Sequence, residues 1–165
     1  MTPMAANIFK DARRRRDTGI SSMMTEIVAS PALLLADDNP SLLTTLVEML
    51  QTEYKVVAAL PNGTSVLDQV ASLSPDVVIL DVSLGDLTGF EVARRLKDSG
   101  CPAKIIFLTV HEDVDFVNAA FDLGAFGYVF KSRVTEDLTR AIDIVFSGGR
   151  FASNAPPAIS QTNRR

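Results

Sequence analysis

Few residues in this 165-residue sequence could form disulfides or zinc sites. One cysteine and one histidine exclude an internal disulfide and any His-rich metal cluster. The strongly apolar runs are only a few residues long, too short to span a bilayer, so we expect no membrane partner. Eight prolines and nine glycines are too few for a fibrous or low-complexity chain. The composition, 47% hydrophobic and 22% charged, is that of a globular protein with about one domain's worth of core.

Charge is distributed unevenly along the chain, whose net charge is −4. Residues 1–31 carry five basic and three acidic side chains, and residues 150–165 carry three arginines and no acid. Residues 32–149 hold eight basic and seventeen acidic side chains, a net charge of −9 that repels nucleic acid. We therefore predict a flexible basic N-terminal arm (residues 1–31), one folded domain (residues 32–149) and a flexible C-terminal tail (residues 150–165), without specific DNA binding. Met23 and Met24 leave a later translation start open.

Short β-like runs alternate with helical patterns between residues 32 and 149. The predicted strands cover residues 32–36, 56–60, 77–80, 104–108 and 126–130. The predicted helices cover residues 42–50, with Ser41 as the N-cap, and then 64–72, 90–97, 114–123 and 135–147. Five βα units in about 118 residues predict a single α/β domain with a doubly wound, five-stranded parallel sheet.

Reactive side chains follow four of the five predicted strands. Asp37 and Asp38 follow the first strand, Asp81 the third, Thr109 the fourth and Lys131 the fifth. In open parallel sheets, ligands bind beyond the carboxyl ends of the strands. Three carboxylates brought together there are stable mainly with a hard divalent cation such as Mg²⁺. The pattern thus predicts a phosphoryl-transfer site with a carboxylate nucleophile, a hydroxyl and an ammonium to contact the transferring oxygens.

Four segments of the sequence resemble the receiver domain of two-component response regulators. They are LADDNP at residues 35–40, ILD at 79–81 with a glycine eight residues later, FLT at 107–109 and GYVFK at 127–131. The resemblance covers residues 32–149 and is strongest to the receivers of LuxR-type regulators, here without their DNA-binding domain. It implies a flavodoxin-like (βα)5 fold and a stand-alone cytoplasmic signalling domain rather than an enzyme.

The resemblance also implies a ligand set and a set of partners. By it, Asp81 is the phosphoacceptor, and Asp37, Asp38 and Asp81 hold Mg²⁺ together with the backbone carbonyl of Ser83. The expected phosphodonor is a sensor histidine kinase or a histidine phosphotransfer protein. The expected recipients of the signal are a downstream protein target and a phosphorylation-dependent homodimer.

Three further positions carry expectations taken from the same resemblance. Thr109 and Tyr128 are the implied switch pair, and Lys131 is the implied contact to the phosphoryl group. Gly85 departs from the family pattern, because it stands four residues after Asp81 where the family usually has proline. We therefore expect a more mobile loop after Asp81.

Other function classes stay open on the sequence alone. A Mg²⁺-dependent aspartyl-phosphate phosphatase usually needs a second carboxylate two residues after its nucleophile, where this chain has Ser83. A nucleotide- or flavin-binding domain usually has glycine in its first βα turn, and residues 36–41 contain none. A phosphorylation-independent α/β interaction domain is a further alternative.

Overall fold

Six parallel strands and five helices make up the part of the chain that the structure, a computed structural model, describes, residues 29–154. The strands are β1 (Ala32–Ala36), β2 (Lys55–Leu60), β3 (Val77–Leu80), β4 (Lys104–Thr109), β5 (Gly127–Phe130) and β6 (Phe151–Ala152). The helices are α1 (Pro40–Leu50), α2 (Gly63–Leu73), α3 (Gly89–Asp98), α4 (Val114–Asp122) and α5 (Val134–Phe146), and a short 3-10 helix covers Lys131–Arg133. This architecture confirms the predicted doubly wound α/β fold.

The strand order is β2-β1-β3-β4-β5-β6, and every neighbouring pair is parallel. Helices α1 and α5 pack on one face of the sheet, and α2, α3 and α4 pack on the other. The core strand β3 is the continuous run VVIL, and all four of its residues are buried, as a strand covered on both faces requires. Because β1 lies between β2 and β3, the chain changes direction across the sheet at the carboxyl ends of β1 and β3.

The N-cap of α1 corrects one sequence prediction. Asn39, rather than Ser41, caps the helix, since the Asn39 side chain accepts a hydrogen bond from the Leu42 amide. Pro40 occupies the first helical position, where its missing amide proton and fixed φ suit a helix start. The helix therefore begins one residue after the acidic pair, which places both aspartates in the turn that follows β1.

A short sixth strand, β6, is added to the five predicted strands, and it lies within the residues assigned to the predicted tail. Phe151 and Ala152, assigned to that tail, pair in parallel with Gly127 and Tyr128 of β5. Ser153 follows and is buried. The ordered unit therefore extends past residue 149, while the predicted arm at residues 1–28 and the tail from 155 onwards lie outside the described residues.

None of the helices within residues 29–154 is long and apolar enough to span a bilayer.

Candidate functional site

The site begins with two buried aspartates at the ends of neighbouring strands. Ala36 of β1 is the register partner of Leu80 of β3, so the next residues, Asp37 and Asp81, lie side by side. Their relative exposures are only 3% and 5%. Asp38 follows and is exposed. One carboxylate oxygen from each of the three aspartates lies within 4.8 Å of the others, as the sequence predicts for a shared site.

Lys131 supplies the positive charge of this cluster. It begins the 3-10 helix after β5, and its Nζ donates a hydrogen bond to Asp81 Oδ2 at 3.0 Å. The same Nζ forms an ion pair with Asp37 Oδ2 at 2.7 Å, so one ammonium pairs with both buried carboxylates. Burial lowers the pKa of Lys131, but pairing with Asp37 and Asp81 outweighs burial and raises the pKa above its ordinary value. The ammonium is therefore held in its charged form.

Burial has the largest effect on the pKa of the Asp81 carboxylate. Burial raises the pKa of Asp81 above its ordinary value, and the negative charge of Asp37 raises it further. The Lys131 ammonium and the Ser83 amide act in the opposite direction without cancelling the effect of burial. A buried carboxylate with this raised pKa gains from a cation beside it, because the cation favours the charged form.

The donor set of the cluster fits Mg²⁺. Asp37 Oδ1 accepts a hydrogen bond from the Asn39 amide, and the buried Oδ2 pairs with the Lys131 ammonium. Mg²⁺ prefers oxygen ligands and is commonly held by one or two carboxylates together with water and phosphate oxygens. Asp37, Asp38 and Asp81 offer that chemistry at one edge of the sheet, with the exposed Asp38 open to solvent.

Thr109 and Tyr128 both contact the backbone of His111. Thr109 ends β4 and is buried, and its Oγ accepts a hydrogen bond from the His111 amide at 3.3 Å. Tyr128 is buried in β5, and its hydroxyl donates to the His111 carbonyl at 2.7 Å. Burial raises the pKa of Tyr128 well above its ordinary range, with smaller contributions from Asp113 and Asp81. The two expected switch residues are thus joined through one residue, His111, of the loop that follows β4.

His111 has a larger part in this loop than the sequence indicates. His111 is half-buried, and its ring stacks on that of Phe116 with centroids 4.4 Å apart. Its position two residues after Thr109 indicates, from the sequence alone, that His111 lies close to the site. The hydrogen bonds to Thr109 and Tyr128 use the backbone of His111, so no pattern of residue types could reveal them.

Ser83 lies in the loop of residues 82–88, which joins β3 to α3. The base of this loop is closed by a hydrogen bond from the Gly89 amide to the Val82 carbonyl at 2.7 Å and by a bridge between Ser83 and Thr88. A side chain at position 89 would collide with the Asp81 carbonyl, so only glycine allows this closure. The loop also contains Asp86, an exposed carboxylate that sequence reasoning missed.

Comparisons with known proteins match this chain to one family. Residues 33–143 match the response regulator receiver domain. The transcriptional regulatory protein DesR of Bacillus subtilis is 36% identical over 122 residues, which cover 73% of this chain and 60% of DesR. The positive alginate biosynthesis regulatory protein of Pseudomonas aeruginosa is 35% identical over 132 residues, which cover 76% of this chain and 52% of that protein.

Solved structures give the same result for the fold. The crystal structure of a LuxR-family two-component response regulator from Aurantimonas is similar with a TM-score of 0.72 and 28% identity. The similarity covers 81% of this chain and 94% of that one. The matched region of the two curated relatives is only 52–60% of their own length. The comparisons confirm the resemblance to LuxR-type receivers that the motifs carry.

Proposed function

Because the chain belongs to the response regulator receiver domain family, we propose that it accepts a phosphoryl group on Asp81 and passes the signal on through protein contacts. The observation that carries this proposal is the convergence of three carboxylates and one ammonium at the carboxyl edge of the sheet. A buried nucleophile between a cation and metal-ligating carboxylates is the arrangement that phosphoryl transfer to a carboxylate requires. We propose residues 32–153, including β6, as the receiver unit.

In the proposed reaction, a carboxylate oxygen of Asp81 attacks the phosphorus of a phosphohistidine on the donor protein. The new O–P bond forms as the N–P bond breaks, and the imidazole nitrogen keeps the electron pair and takes up a proton. Lys131, already 3.0 Å from Asp81, neutralises charge on the transferred oxygens. Thr109, at the end of the neighbouring strand, presents its hydroxyl to another of those oxygens.

Asp37 and Asp38, together with Asp81 and the Ser83 carbonyl, are the groups we propose for holding Mg²⁺. When bound, the ion neutralises negative charge on the transferring phosphoryl oxygens. One carboxylate oxygen of Asp37 lies within 4.8 Å of one from Asp38 and one from Asp81, and this spacing supports the assignment. The ion pair with Lys131 holds Asp37 in place meanwhile.

The signal leaves the site through Thr109 and Tyr128 in this proposal. A phosphoryl group on Asp81 would attract the Thr109 hydroxyl, which now accepts a hydrogen bond from the His111 amide. Since Tyr128 binds the carbonyl of His111, a shift of this loop would reach Tyr128 and the face formed by α4, β5 and α5. Phosphorylation would then shift an existing equilibrium between two states of that face.

The proposed partners follow from the same reaction. The phosphodonor is a sensor histidine kinase or a histidine phosphotransfer protein, and the recipients are a downstream protein and a second copy of the chain. The acidic balance of residues 32–149 argues against specific DNA binding by this unit. A cytoplasmic location stays a prediction.

Labelling with a small phosphodonor tests the proposal. The chain is incubated with acetyl phosphate and Mg²⁺, and bound and released phosphate are both measured over time. A receiver takes up close to one phosphoryl group per chain and loses it slowly. Many turnovers would instead identify an aspartyl-phosphate phosphatase. If no phosphate is taken up with or without Mg²⁺, the proposal is contradicted, and a phosphorylation-independent α/β interaction domain is the remaining alternative.

A further inference from the structure

The loop of residues 82–88 is tied to helix α2 by one carboxylate, that of Asp86. Asp86 Oδ1 accepts hydrogen bonds from the Gly63 amide at 2.9 Å and from its neighbour, the Leu87 amide, at 2.7 Å. Asp86 Oδ2 accepts from the Thr64 amide at 3.0 Å and from the Thr64 hydroxyl at 2.6 Å. Four donors on one carboxylate, two of them amides 22 and 23 residues away in sequence, make a specific connection.

These hydrogen bonds complete the cap of α2 from another part of the chain. The helix has its own N-cap, Asn62, whose side chain accepts from the Ser65 amide. Asp86 accepts hydrogen bonds from the two preceding amides, those of Gly63 and Thr64. Its negative charge faces the positive end of the helix dipole. The hydrogen bonds from Thr64, followed by that from Gly63, hold the pKa of Asp86 well below its usual range. The carboxylate is therefore charged at neutral pH.

Close packing supports the same contact. A Cβ added at Gly63 would lie 2.8 Å from Val92 Cγ2 and 3.0 Å from Leu87 Cβ, so glycine allows the start of α2 to approach the loop. Below the loop, the buried side chain of Leu84 provides a second anchor. The tip between these anchors is Gly85, with φ of +85°.

We propose that Asp86 is a positioning residue for the cation site, since it ties down the loop that contains Ser83. This inference rests on the proposed function, in which the Ser83 carbonyl is a metal ligand. It also explains how the loop is restrained with Gly85 in place of the family's usual proline. Asp86 itself touches neither the phosphoryl group nor the metal in this account.

Mg²⁺ affinity is the quantity that separates positioning from simple helix capping. We would titrate the full chain with Mg²⁺ alone and follow amide chemical shifts by NMR, including those of Ser83 and Gly85. Outer groups that orient metal ligands are typically worth about 10- to 100-fold in affinity. Because Leu84 and the bridge between Ser83 and Thr88 remain, we expect Asp86→Ala to raise the Mg²⁺ dissociation constant by about tenfold, the lower end of that range.

Two matched variants complete the design. Asn62→Ala removes the other α2 cap without touching the loop, so it should lower thermal stability and leave the Mg²⁺ dissociation constant unchanged. Thr64→Val keeps the Asp86 charge but removes the hydroxyl donor, so it should weaken Mg²⁺ binding less than Asp86→Ala does, by about twofold. At saturating Mg²⁺, labelling of Asp86→Ala by acetyl phosphate should recover to near the wild-type rate.

The outcomes distinguish this inference from the proposed function. Normal Mg²⁺ binding by both wild type and Asp86→Ala would overturn the positioning role alone. Equal weakening by Asp86→Ala and Asn62→Ala would also overturn it, because helix capping would then explain the effect. A wild-type chain that binds no Mg²⁺ would contradict the proposed function, and the positioning role with it.

Discussion

The hydroxyl of Ser153 gives a sharp test of the sixth strand. Ser153 Oγ donates a hydrogen bond to Asp137 Oδ2 at 2.7 Å and accepts one from the Phe130 amide at 3.1 Å. Both Ser153 and Asp137 are buried, with relative exposures of 6% and 3%. Arg133 also pairs with Asp137, at 2.9 Å. The segment after α5 is therefore fastened to α5 and to the residue that precedes Lys131.

The cost of Ser153→Ala follows from these two hydrogen bonds. Removing a hydrogen bond to a charged acceptor costs about 1.5–3 kcal/mol, and leaving a buried amide such as that of Phe130 without a partner costs about 1–3 kcal/mol. The two losses share one hydroxyl and do not add fully, so we expect a destabilisation of about 2–4 kcal/mol. Asp137 keeps its pairing with Arg133, which limits the loss to this range.

Urea unfolding of wild type and Ser153→Ala measures this difference. Ser147→Ala is the matched control, because Ser147 is exposed and its hydroxyl only donates to the Asp143 carbonyl within α5. We expect the control to change the free energy of unfolding by no more than about 0.5 kcal/mol. Equal losses in the two variants would refute the reasoning and return the domain boundary to residue 149.

Three further predictions concern charge and the signalling face. Hydrogen bonds from its partners outweigh burial and lower the pKa of Asp137 below its ordinary value of 3.8, so its stabilising contribution is complete above that value and is lost as pH falls below it. The difference in unfolding free energy between wild type and Asp137→Asn should therefore shrink as urea denaturation is carried below pH 4. Lys131→Met leaves Asp37 and Asp81 without their cation, so Mg²⁺ should raise the melting temperature of this variant more than that of wild type by calorimetry, while labelling persists. Half-buried Ile144 borders the proposed signalling face, so Ile144→Asp should weaken any phosphorylation-dependent self-association in light scattering, and unchanged association would place the output elsewhere.

The core of the site could be predicted because parallel topology leaves little choice. The apolar run Val77–Leu80 identifies a strand buried on both faces, and the residue after it must lie at the carboxyl edge of the sheet. The same reasoning places Asp37 and Lys131 at that edge. In the structure the Lys131 ammonium lies 2.7 Å from Asp37 and 3.0 Å from Asp81. The apolar pattern of the strands and the types of the residues that follow them are sufficient to predict these positions.

Contacts between distant segments could not be predicted in the same way. Phe151 and Ala152 lie in a stretch of polar and small residues, and only the free edge of β5 makes them a strand. Asp86 caps a helix 22 residues away, which no local capping pattern reveals. The predicted N-cap of α1 is wrong by two residues for a different reason. Asn39 and Ser41 are both residue types that cap helices well, and Pro40 favours Asn39 because proline suits the first helical position.

Locating the phosphoryl group tests the central claim most directly. The chain is labelled with acetyl phosphate and Mg²⁺, the acyl phosphate is reduced with borohydride to homoserine, and the modified residue is identified by mass spectrometry of peptides. The account predicts homoserine at position 81 in wild type and none in Asp81→Asn, with Asp76→Asn, a matched aspartate at the opposite end of β3, labelled as wild type. Undiminished label on Asp81→Asn, or modification at another carboxylate of wild type, would contradict it.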